Sequence, residues 1–520
     1  MKLYNIFDFV ISLILWILIV VILVPIVLLL FLWKRCVIFI AHRVDKNLHA
    51  TQPNDTYFSV GDTNKVPIVN VAQIWRVEGM LDIHEFRAHF RSLFFSCPES
   101  RKNYLNLYCY LKHFGGYVFK RSVDQVNVEE HVVMRQLPED ETLQSFIVKW
   151  MLRERFEDGK PLWQVVLLHL PSSEPNSEIN VETVVLLKMH HCMTDGYGFI
   201  HIVDKLTGNT SPYLVTHEKE TLFQMVKASF FGPKTLMDYV IEVARTPDLF
   251  YPLKDRKNAQ WFMSLNTLDM KKIKDVRRRT KAHFISVMMT LMIGALRRYL
   301  HDTYGKDKEI PNNIWTANSL PWPGHPRNSL VNHWTGGVFQ VPFKTEDPLE
   351  RLCGTEKFFK FFHDMEMHKT VKRLIIPVTW CLPSPLLRWG HSLDLYYFRY
   401  SNAFASLLLS ESPHFMLGKR VKQLYLPLGI KDAVPTSVLF GVSSSHSGQM
   451  DLSLLASSEV VASQEALDKI ATVYFAQELE QLQRSIEDRI IPILESDCET
   501  CTLTEKDAVN NRINGNANVI

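Results

Sequence analysis

The sequence has little excess charge of either sign, since 58 lysines and arginines against 55 aspartates and glutamates leave a formal net charge of +3. So small a charge offers no electrostatic footprint for DNA or RNA, and we expect no nucleic-acid partner. The eight cysteines are scattered, which is typical of reduced cytosolic thiols and not of a disulfide framework. No fixed-period repeat is visible, which argues against solenoids and propellers.

Long apolar runs are absent after residue 33, but one stands before it. Phe9 to Trp33 is 25 residues without a charge, interrupted only by Ser12. As a helix it would be ~37 Å long, enough to cross a hydrocarbon core of ~30 Å. Signal peptides have a shorter apolar region and a small-residue cleavage site, whereas Lys34-Arg35 follow here. The run therefore predicts a transmembrane helix, with a re-entrant hairpin kinked at Pro25 as the alternative.

The charges that flank this run predict its orientation. Basic residues are concentrated after it, at Lys34, Arg35, Arg43 and Lys46, against Lys2 and Asp8 before it. Cytoplasmic flanks carry the excess of lysine and arginine. We therefore expect a single-pass membrane protein whose large C-terminal part lies in the cytosol.

The pattern of apolar residues after the anchor alternates between strands and helices, which predicts an α/β protein. Composition shifts suggest five regions: an anchor and juxtamembrane segment at 1–50, a first lobe at 51–215, a crossover at 216–265, a second lobe at 266–494 and a disordered polar tail at 495–520. The tail holds a lone CxxC, Cys498 to Cys501, with no second pair and no nearby histidine. We expect no metal there.

A basic helix is predicted near the start of the second lobe, with seven cations between Lys271 and Lys281. Its face is either solvated or a seat for phosphates or anionic lipid, and the residues themselves leave both readings open.

The segment His190-His191-Cys-Met-Thr-Asp195-Gly196 carries the clearest chemistry. A β-branched run, Val181 to Met189, predicts a buried strand before it, and a glycine turn and a helical pattern follow it. A neutral imidazole is well suited to remove a proton from a hydroxyl near neutral pH. An aspartate held by the local backbone or by a cation would fix the turn. The alternative is a strand-end histidine pair that only fills a surface.

Five segments in this order resemble the wax ester synthase/diacylglycerol acyltransferase family, whose wider relatives, including condensation domains, share an HHxxxDG signature. The resemblance covers most of the chain after about residue 70. The segments are Pro161-Leu162-Trp163, His190 to Gly196, the helix end Gly294 to Leu300, Asn332 ten residues before Pro342, and the turn Ser445 to Gly448.

The resemblance implies a two-lobed acyltransferase or condensation-domain-like fold with a tunnel between the lobes. Acyl-CoA enters from one side and an alcohol from the other. His191 takes the proton from the acceptor hydroxyl and later helps protonate the CoA thiolate, while His190 supports the site. Because the thioester is already activated, no cofactor or metal is implied. The expected product is a wax ester or triacylglycerol.

The resemblance also assigns supporting residues. Asp195 holds the turn by pairing with a cation, and Gly196 lets the backbone turn without a side chain in the tunnel. Asn332 is the candidate donor to the developing oxyanion, and Trp163 is placed with it among the substrate-binding residues. Long-chain alcohols and diacylglycerol partition into bilayers, so an anchored enzyme, on the endoplasmic reticulum or a similar membrane, meets its acceptor there.

One position departs from the family pattern. Many members carry an Asn-Asp pair where this chain has Ile285-Ser286. This departure keeps open a second hypothesis, a lipid-binding or scaffolding homologue that has lost turnover. A third is an acyltransferase acting on an amine or a sterol.

Overall fold

The computed structural model describes residues 6–59, 69–171, 181–211, 221–245, 259–307, 309–326, 329–364, 367–397, 402–407, 409–430, 436–444 and 448–489. The predicted tail at 495–520, with Cys498 and Cys501, and most of the turn from Ser445 to Gly448 lie outside the described residues.

Strands and helices alternate along the chain. The strands are β1 (Leu48–Ala50), β2 (Asn70–Glu78), β3 (Cys109–Phe114), β4 (Tyr117–Ser122), β5 (Val132–Arg135), β6 (Trp163–Pro171), β7 (Val181–His190), β8 (Trp261–Asp269), β9 (Asn313–Pro321), β10 (Trp334–Pro342), β11 (Asn402–Leu407), β12 (Phe415–Met416), β13 (Lys419–Tyr425), β14 (Leu428–Gly429), β15 (Val438–Ser444) and β16 (Gln449–Ser457). The helices are α1 (Ile6–Leu18), α2 (Val24–Val44), α3 (Pro53–Thr56), α4 (Ile83–Phe94), α5 (Pro98–Asn103), α6 (Val128–His131), α7 (Leu143–Leu152), α8 (Gly196–Thr207), α9 (Leu222–Arg245), α10 (Met270–Thr280), α11 (Phe284–Tyr304), α12 (Pro348–Asp364), α13 (Met367–Thr370), α14 (Ile376–Cys381), α15 (Ser384–Tyr397), α16 (Gln464–Lys469) and α17 (Phe475–Asp488).

The first lobe is built on a sheet of strand order β12-β13-β2-β7-β6-β5, to which β14 adds beside β2. Strand β7 runs antiparallel to both β2 and β6, and all its residues after Val181 are buried. A strand covered on both faces reads as a continuous apolar run, which is why this segment was recognisable in the sequence. Its last residue is His190, and His191 follows directly.

The second lobe is built on a sheet of strand order β10-β9-β11-β15-β16-β8. Helix α11 is buried along most of its length, and α11, α12 and α17 join the sheet in one hydrophobic core. The two-lobed α/β fold predicted from the sequence is therefore present.

The boundaries drawn from the sequence differ from the strand pairing in two places. Residues 415–429 fall in the range assigned to the second lobe, yet β12, β13 and β14 complete the first-lobe sheet. Strand β8 begins at Trp261, inside the predicted crossover, and pairs with β16 as a full strand of the second lobe. Pairing between segments distant along the chain is not encoded in the local hydrophobic pattern. These two differences from the predicted boundaries could therefore not be foreseen from the sequence.

The N-terminal apolar run is part of one continuous helical segment, Ile6–Val44, with a π-helical turn at Ile19–Leu23 ahead of Pro25. It is the one helical segment in the described part of the chain that is long and apolar enough to cross a membrane. Its large apolar side chains are mostly exposed to the surroundings of the protein. A second long helix, α9, lies in the region predicted to be a crossover of mixed structure.

The basic helix is α10, and several of its cations are paired with acids of this chain. Lys274 lies 2.7 Å from Glu411, and Arg278 and Arg279 both contact Asp275. These ion pairs reduce the positive charge available to a phosphate or an anionic lipid, which favours the interpretation as a solvated face.

Candidate active site

His190 is fixed by the backbone around it. Its N–H donates to the Leu162 carbonyl at 3.0 Å, and its ring Nδ1 accepts the Cys192 N–H at 3.2 Å. Burial lowers the pKa of His190 to about 3, so the ring is neutral at pH 7. One ring nitrogen of His190 is thus engaged in holding the turn.

His191 follows the strand and stacks on Phe58, with the ring centroids 3.7 Å apart and the planes 18° from parallel. Burial lowers its pKa, against smaller opposing effects of its own carbonyl, Asp195 and Asn332. The ring is therefore neutral at pH 7. Its Nδ1 is buried without a hydrogen-bond partner in the described part of the protein. A neutral imidazole with an uncommitted nitrogen has the state that a general base requires.

Asp195 caps α8 and binds the second lobe. Its Oδ1 accepts the N–H groups of Tyr197 and Gly198 at 3.0 and 3.2 Å, and its Oδ2 accepts the His333 N–H at 2.7 Å. His325 Nε2 lies 3.1 Å from Oδ1. The structure thus gives this aspartate both a local backbone contact and a titratable partner, and that partner is a histidine.

The pair of Asp195 and His325 is buried, and each group shifts the other. Burial would raise the pKa of Asp195, but the His325 hydrogen bond and charge and the backbone N–H donors leave it below its usual value. Burial would lower the pKa of His325, but Asp195 outweighs it and the pKa is raised above 6.5. Both shifts favour the charged forms, so the pair is ionic between the ordinary carboxyl pKa of 3.8 and the ordinary imidazole pKa of 6.5.

We expect this pair to make stability depend on pH in a defined window. A group with a raised pKa contributes fully below its unfolded value of about 6.5 and loses that contribution as pH rises through the folded value. The difference in free energy of unfolding between the wild type and His325→Gln is measured by urea denaturation from pH 5.5 to 9. It should be largest at the acidic end and should decrease as the pH rises. Burial lowers the pKa of neighbouring His333 from its ordinary 6.5, so His333 is mainly neutral in the part of this window above pH 6.5. A pH-independent difference would contradict the ionic assignment.

Gly196 and its neighbour Gly198 begin α8 where little space is available. A Cβ at Gly196 would lie 2.9 Å from Leu407 Cδ2, and one at Gly198 only 1.8 Å from Thr194 Oγ1. The glycines therefore allow the turn to pack against β11 and against itself.

Asn332 reaches the motif from the second lobe. Its Nδ2 donates to the His191 carbonyl at 2.8 Å and to Asp55 Oδ1 at 2.9 Å. Asp55 in turn lies 2.8 Å from Lys120 Nζ, and both side chains are nearly inaccessible to solvent. Because both hydrogens of the Asn332 amide are engaged, its geometry is that of a positioning residue for His191. Donation to a substrate oxyanion, predicted from the sequence, would require breaking one of these bonds.

Trp163 lies in the core of the first lobe, and its side chain is not positioned for the contact with substrate that the sequence predicts. It is 1% exposed, its Nε1 donates to the Leu107 carbonyl at 2.8 Å, and its ring stacks on His131 at 4.4 Å. The Pro-Leu-Trp segment instead acts through Leu162, whose carbonyl binds the His190 N–H.

Ile285-Ser286 lies in the first turn of α11 in the second lobe. Ser286 is fully buried beside the Glu356 carboxylate, which also contacts His283. The departure from the family pattern therefore lies in the helix layer of the second lobe.

Sequence reasoning missed Phe58, Asp55, Lys120 and His325. The first two precede the region of family resemblance. The one local signal was Lys120. It lies on a strand that is mostly buried, and a buried lysine needs an acidic partner.

Comparisons with known proteins bear on the family resemblance and on the fold. No protein-family model matches the chain. It is 25% identical over 224 residues to wax ester synthase/diacylglycerol acyltransferase 9 of Arabidopsis thaliana, covering 38% of this chain and 45% of that protein. The chain thus spans less than half the length of this curated relative.

Two solved structures share the fold. The wax ester synthase/diacylglycerol acyltransferase from Marinobacter aquaeolei VT8 superposes with a TM-score of 0.55 at 12% identity, over 84% of this chain and 100% of that one. The trichothecene 15-O-acetyltransferase from Fusarium sporotrichioides superposes with a TM-score of 0.56 at 10% identity, over 83% and 94%.

A condensation domain also shares it. The starter condensation domain of rhizomide synthetase, in complex with C8-CoA and Leu-SNAC, gives a TM-score of 0.53 at 12% identity, over 84% and 95% of the two chains. The fold is therefore that of the acyltransferases and condensation domains. The resemblance to the wax ester synthase/diacylglycerol acyltransferase family, predicted from the motifs, is confirmed by the curated relative and by the fold.

Proposed function

We propose that this protein is a membrane-anchored O-acyltransferase. It transfers a fatty acyl group from acyl-CoA to the hydroxyl of a long-chain alcohol or diacylglycerol, giving a wax ester or triacylglycerol. The observation that carries the proposal is the state of His191, a neutral ring with an uncommitted nitrogen, held in an HHxxxDG motif by residues of both lobes.

In the proposed reaction, His191 accepts the acceptor's hydroxyl proton as its oxygen attacks the thioester carbonyl carbon. A C–O bond forms and the carbonyl oxygen becomes an oxyanion. The C–S bond then breaks, and the imidazolium returns its proton to the CoA thiolate, so the ring ends neutral. Removing the proton as the oxygen attacks avoids a high-energy oxonium and is the usual contribution of a general base.

A second buried donor, Trp334, packs against the same Phe58 ring as His191. The Trp334 Nε1–H is buried without a hydrogen-bond partner in the described residues, and its ring centroid is 5.3 Å from that of Phe58, on which His191 stacks. We assign this indole, rather than Asn332, as the candidate oxyanion donor. A preorganised N–H in a water-poor site stabilises developing charge efficiently.

The anchor supports the choice of a lipid acceptor. Fatty alcohols and diacylglycerol concentrate in bilayers, whereas acyl-CoA carries phosphates and arrives from water. A cytosolic body on the endoplasmic reticulum or a similar membrane meets both, and the basic flank after residue 33 predicts that orientation.

Product analysis tests the proposal directly. Full-length protein in detergent, incubated with labelled palmitoyl-CoA and, separately, a fatty alcohol, diacylglycerol, a sterol and a fatty amine, should form labelled ester with one of the first two. If only the sterol gives an ester, or only the amine gives an amide, the protein is still an acyltransferase, but its acceptor belongs to a different chemical class.

A second candidate is a lipid-binding homologue without turnover, favoured by Ile285-Ser286 in place of the family's Asn-Asp pair. It predicts saturable binding of palmitoyl-CoA with no product from any acceptor, and binding that is unchanged in His191→Ala. That pair of results would overturn the proposed activity.

A further inference from the structure

Helix α9 packs against the N-terminal helix through three different contacts. The Phe9 and Phe230 rings are 5.2 Å apart, Lys234 Nζ lies 3.0 Å from Asp8, and Trp16 Nε1 donates to backbone carbonyls of α9. An apolar, an ionic and a hydrogen-bonded contact at separate positions define one specific pairing of α1 with α9.

The Trp16 contact compensates a defect in α9. Pro233 lies inside the helix and has no N–H, so the Ser229 carbonyl four residues earlier loses its helical donor. The Trp16 indole N–H lies 3.2 Å from that carbonyl and 2.9 Å from the next one, of Phe230. An unsatisfied carbonyl is tolerated in water but is strongly unfavourable in hydrocarbon. A donor supplied by a neighbouring helix is the solution that membrane-embedded helices require.

The face of α9 that contacts α1 carries exposed apolar side chains in the first turns of the helix. Leu222, Phe223 and Val226 are 73%, 76% and 59% exposed, at a spacing that places them on one side of the helix. This face adjoins α1, whose own apolar side chains, such as Phe7, are also exposed. Both helices of this pair therefore carry exposed large apolar side chains.

The long helix is attached to the body at both ends, so it is not a free tether. Near its C-terminal end Lys34 Nζ donates to the Trp380 carbonyl at 2.5 Å, and Phe31 lies 6.2 Å from the Trp380 ring. Asp8 contacts α9, whose Gly232 in turn lies against Thr370 of the second lobe. Asp8 and Lys34 are ~39 Å apart along a continuous helix. A bilayer that contains this helix must therefore also accommodate α9, which packs beside it.

We propose that α9 is embedded in the same lipid bilayer as α1, so that the two helices form a membrane unit and the second lobe sits directly on the lipid. The occupant of the exposed face is lipid acyl chains. This inference rests on the proposed membrane anchor and is independent of the proposed acyl transfer.

Spin labels in lipid nanodiscs test the proposal. Full-length Phe223→Cys and Val226→Cys are labelled in a background with Cys36, Cys97 and the two tail cysteines changed to serine. Arg278→Cys, on the exposed face of α10, is the control. At the two α9 positions we expect oxygen to relax the label more than a water-soluble nickel chelate, with the reverse at the control. Equal nickel access at all three overturns the proposal, and dipolar broadening between labels would show a second copy instead of lipid.

A compensated pair of substitutions tests the helix contact separately. Trp16→Phe removes the donor and should lower the melting temperature in nanodiscs by ~2–4 °C, the shift expected for a loss of order 1 kcal/mol in a large domain. Pro233→Ala restores an N–H to α9, so the double variant should regain the melting temperature of Pro233→Ala alone. If Trp16→Phe has no effect, or if the double variant shows no recovery, the contact does not serve to satisfy the α9 carbonyl.

Discussion

Replacing His191 by alanine should lower the rate of acyl transfer by about 10²–10⁴-fold, the usual contribution of a general base. The ring is neutral at pH 7 and stacked on Phe58, so its removal takes away the proton acceptor and leaves the lobes intact. The measurement is the initial rate of labelled ester formation with the best acceptor. His113→Ala is the matched control, because that histidine is exposed on β3.

The pH profile separates loss of a base from loss of structure. The pKa of His191 is lowered from 6.5, chiefly by burial, so the neutral form persists as the medium becomes acidic. We expect the midpoint of the acid-side fall in kcat/KM of the wild type to lie below pH 6.5. An equal rate for His191→Ala with unchanged melting temperature, or a midpoint above pH 6.5, would contradict the assignment.

Replacing Lys120 by methionine should lower the free energy of unfolding by about 3–5 kcal/mol, the usual cost of removing one partner of a buried ion pair. The side chains of Lys120 and Asp55 are only 6% and 1% exposed. Removing the lysine ammonium therefore leaves the Asp55 carboxylate buried without the cation that it pairs with. Urea denaturation in detergent, followed by tryptophan fluorescence, measures the loss. Because Asp55 also binds Asn332, which binds the His191 carbonyl, we expect kcat to fall with KM little changed.

Two comparisons control this experiment. Arg91→Met breaks an ion pair with Glu129 whose side chains are 46% and 51% exposed, and it should cost only about 0–1 kcal/mol. The double variant Lys120→Met/Asp55→Leu removes both charges and should be more stable than Lys120→Met alone. A cost for Lys120→Met no larger than for Arg91→Met would show that the buried pair does not stabilise the fold.

The parts of the site that lie close together along the chain could be predicted from the sequence. The strand before His190 is a run of β-branched and aliphatic residues, and the glycine-rich turn and the α8 pattern directly follow it. Asp195 caps that helix through the next three residues, so the geometry is local. Trp163 shows the limit of this reasoning, because a motif fixes the order of residues but not which side chains face the substrate.

The sequence by itself determined the apolar N-terminal helix, the strand that carries the histidines and the turn after them, since each depends on side chains within a few residues of one another. Only the tertiary structure decided what surrounds His191. The Asn332–Asp55 contact joins residues 277 positions apart, and His325 reaches Asp195 across 130 positions. Burial then sets the charge of these groups, and burial arises only when the two lobes and the segment after the N-terminal helix pack together.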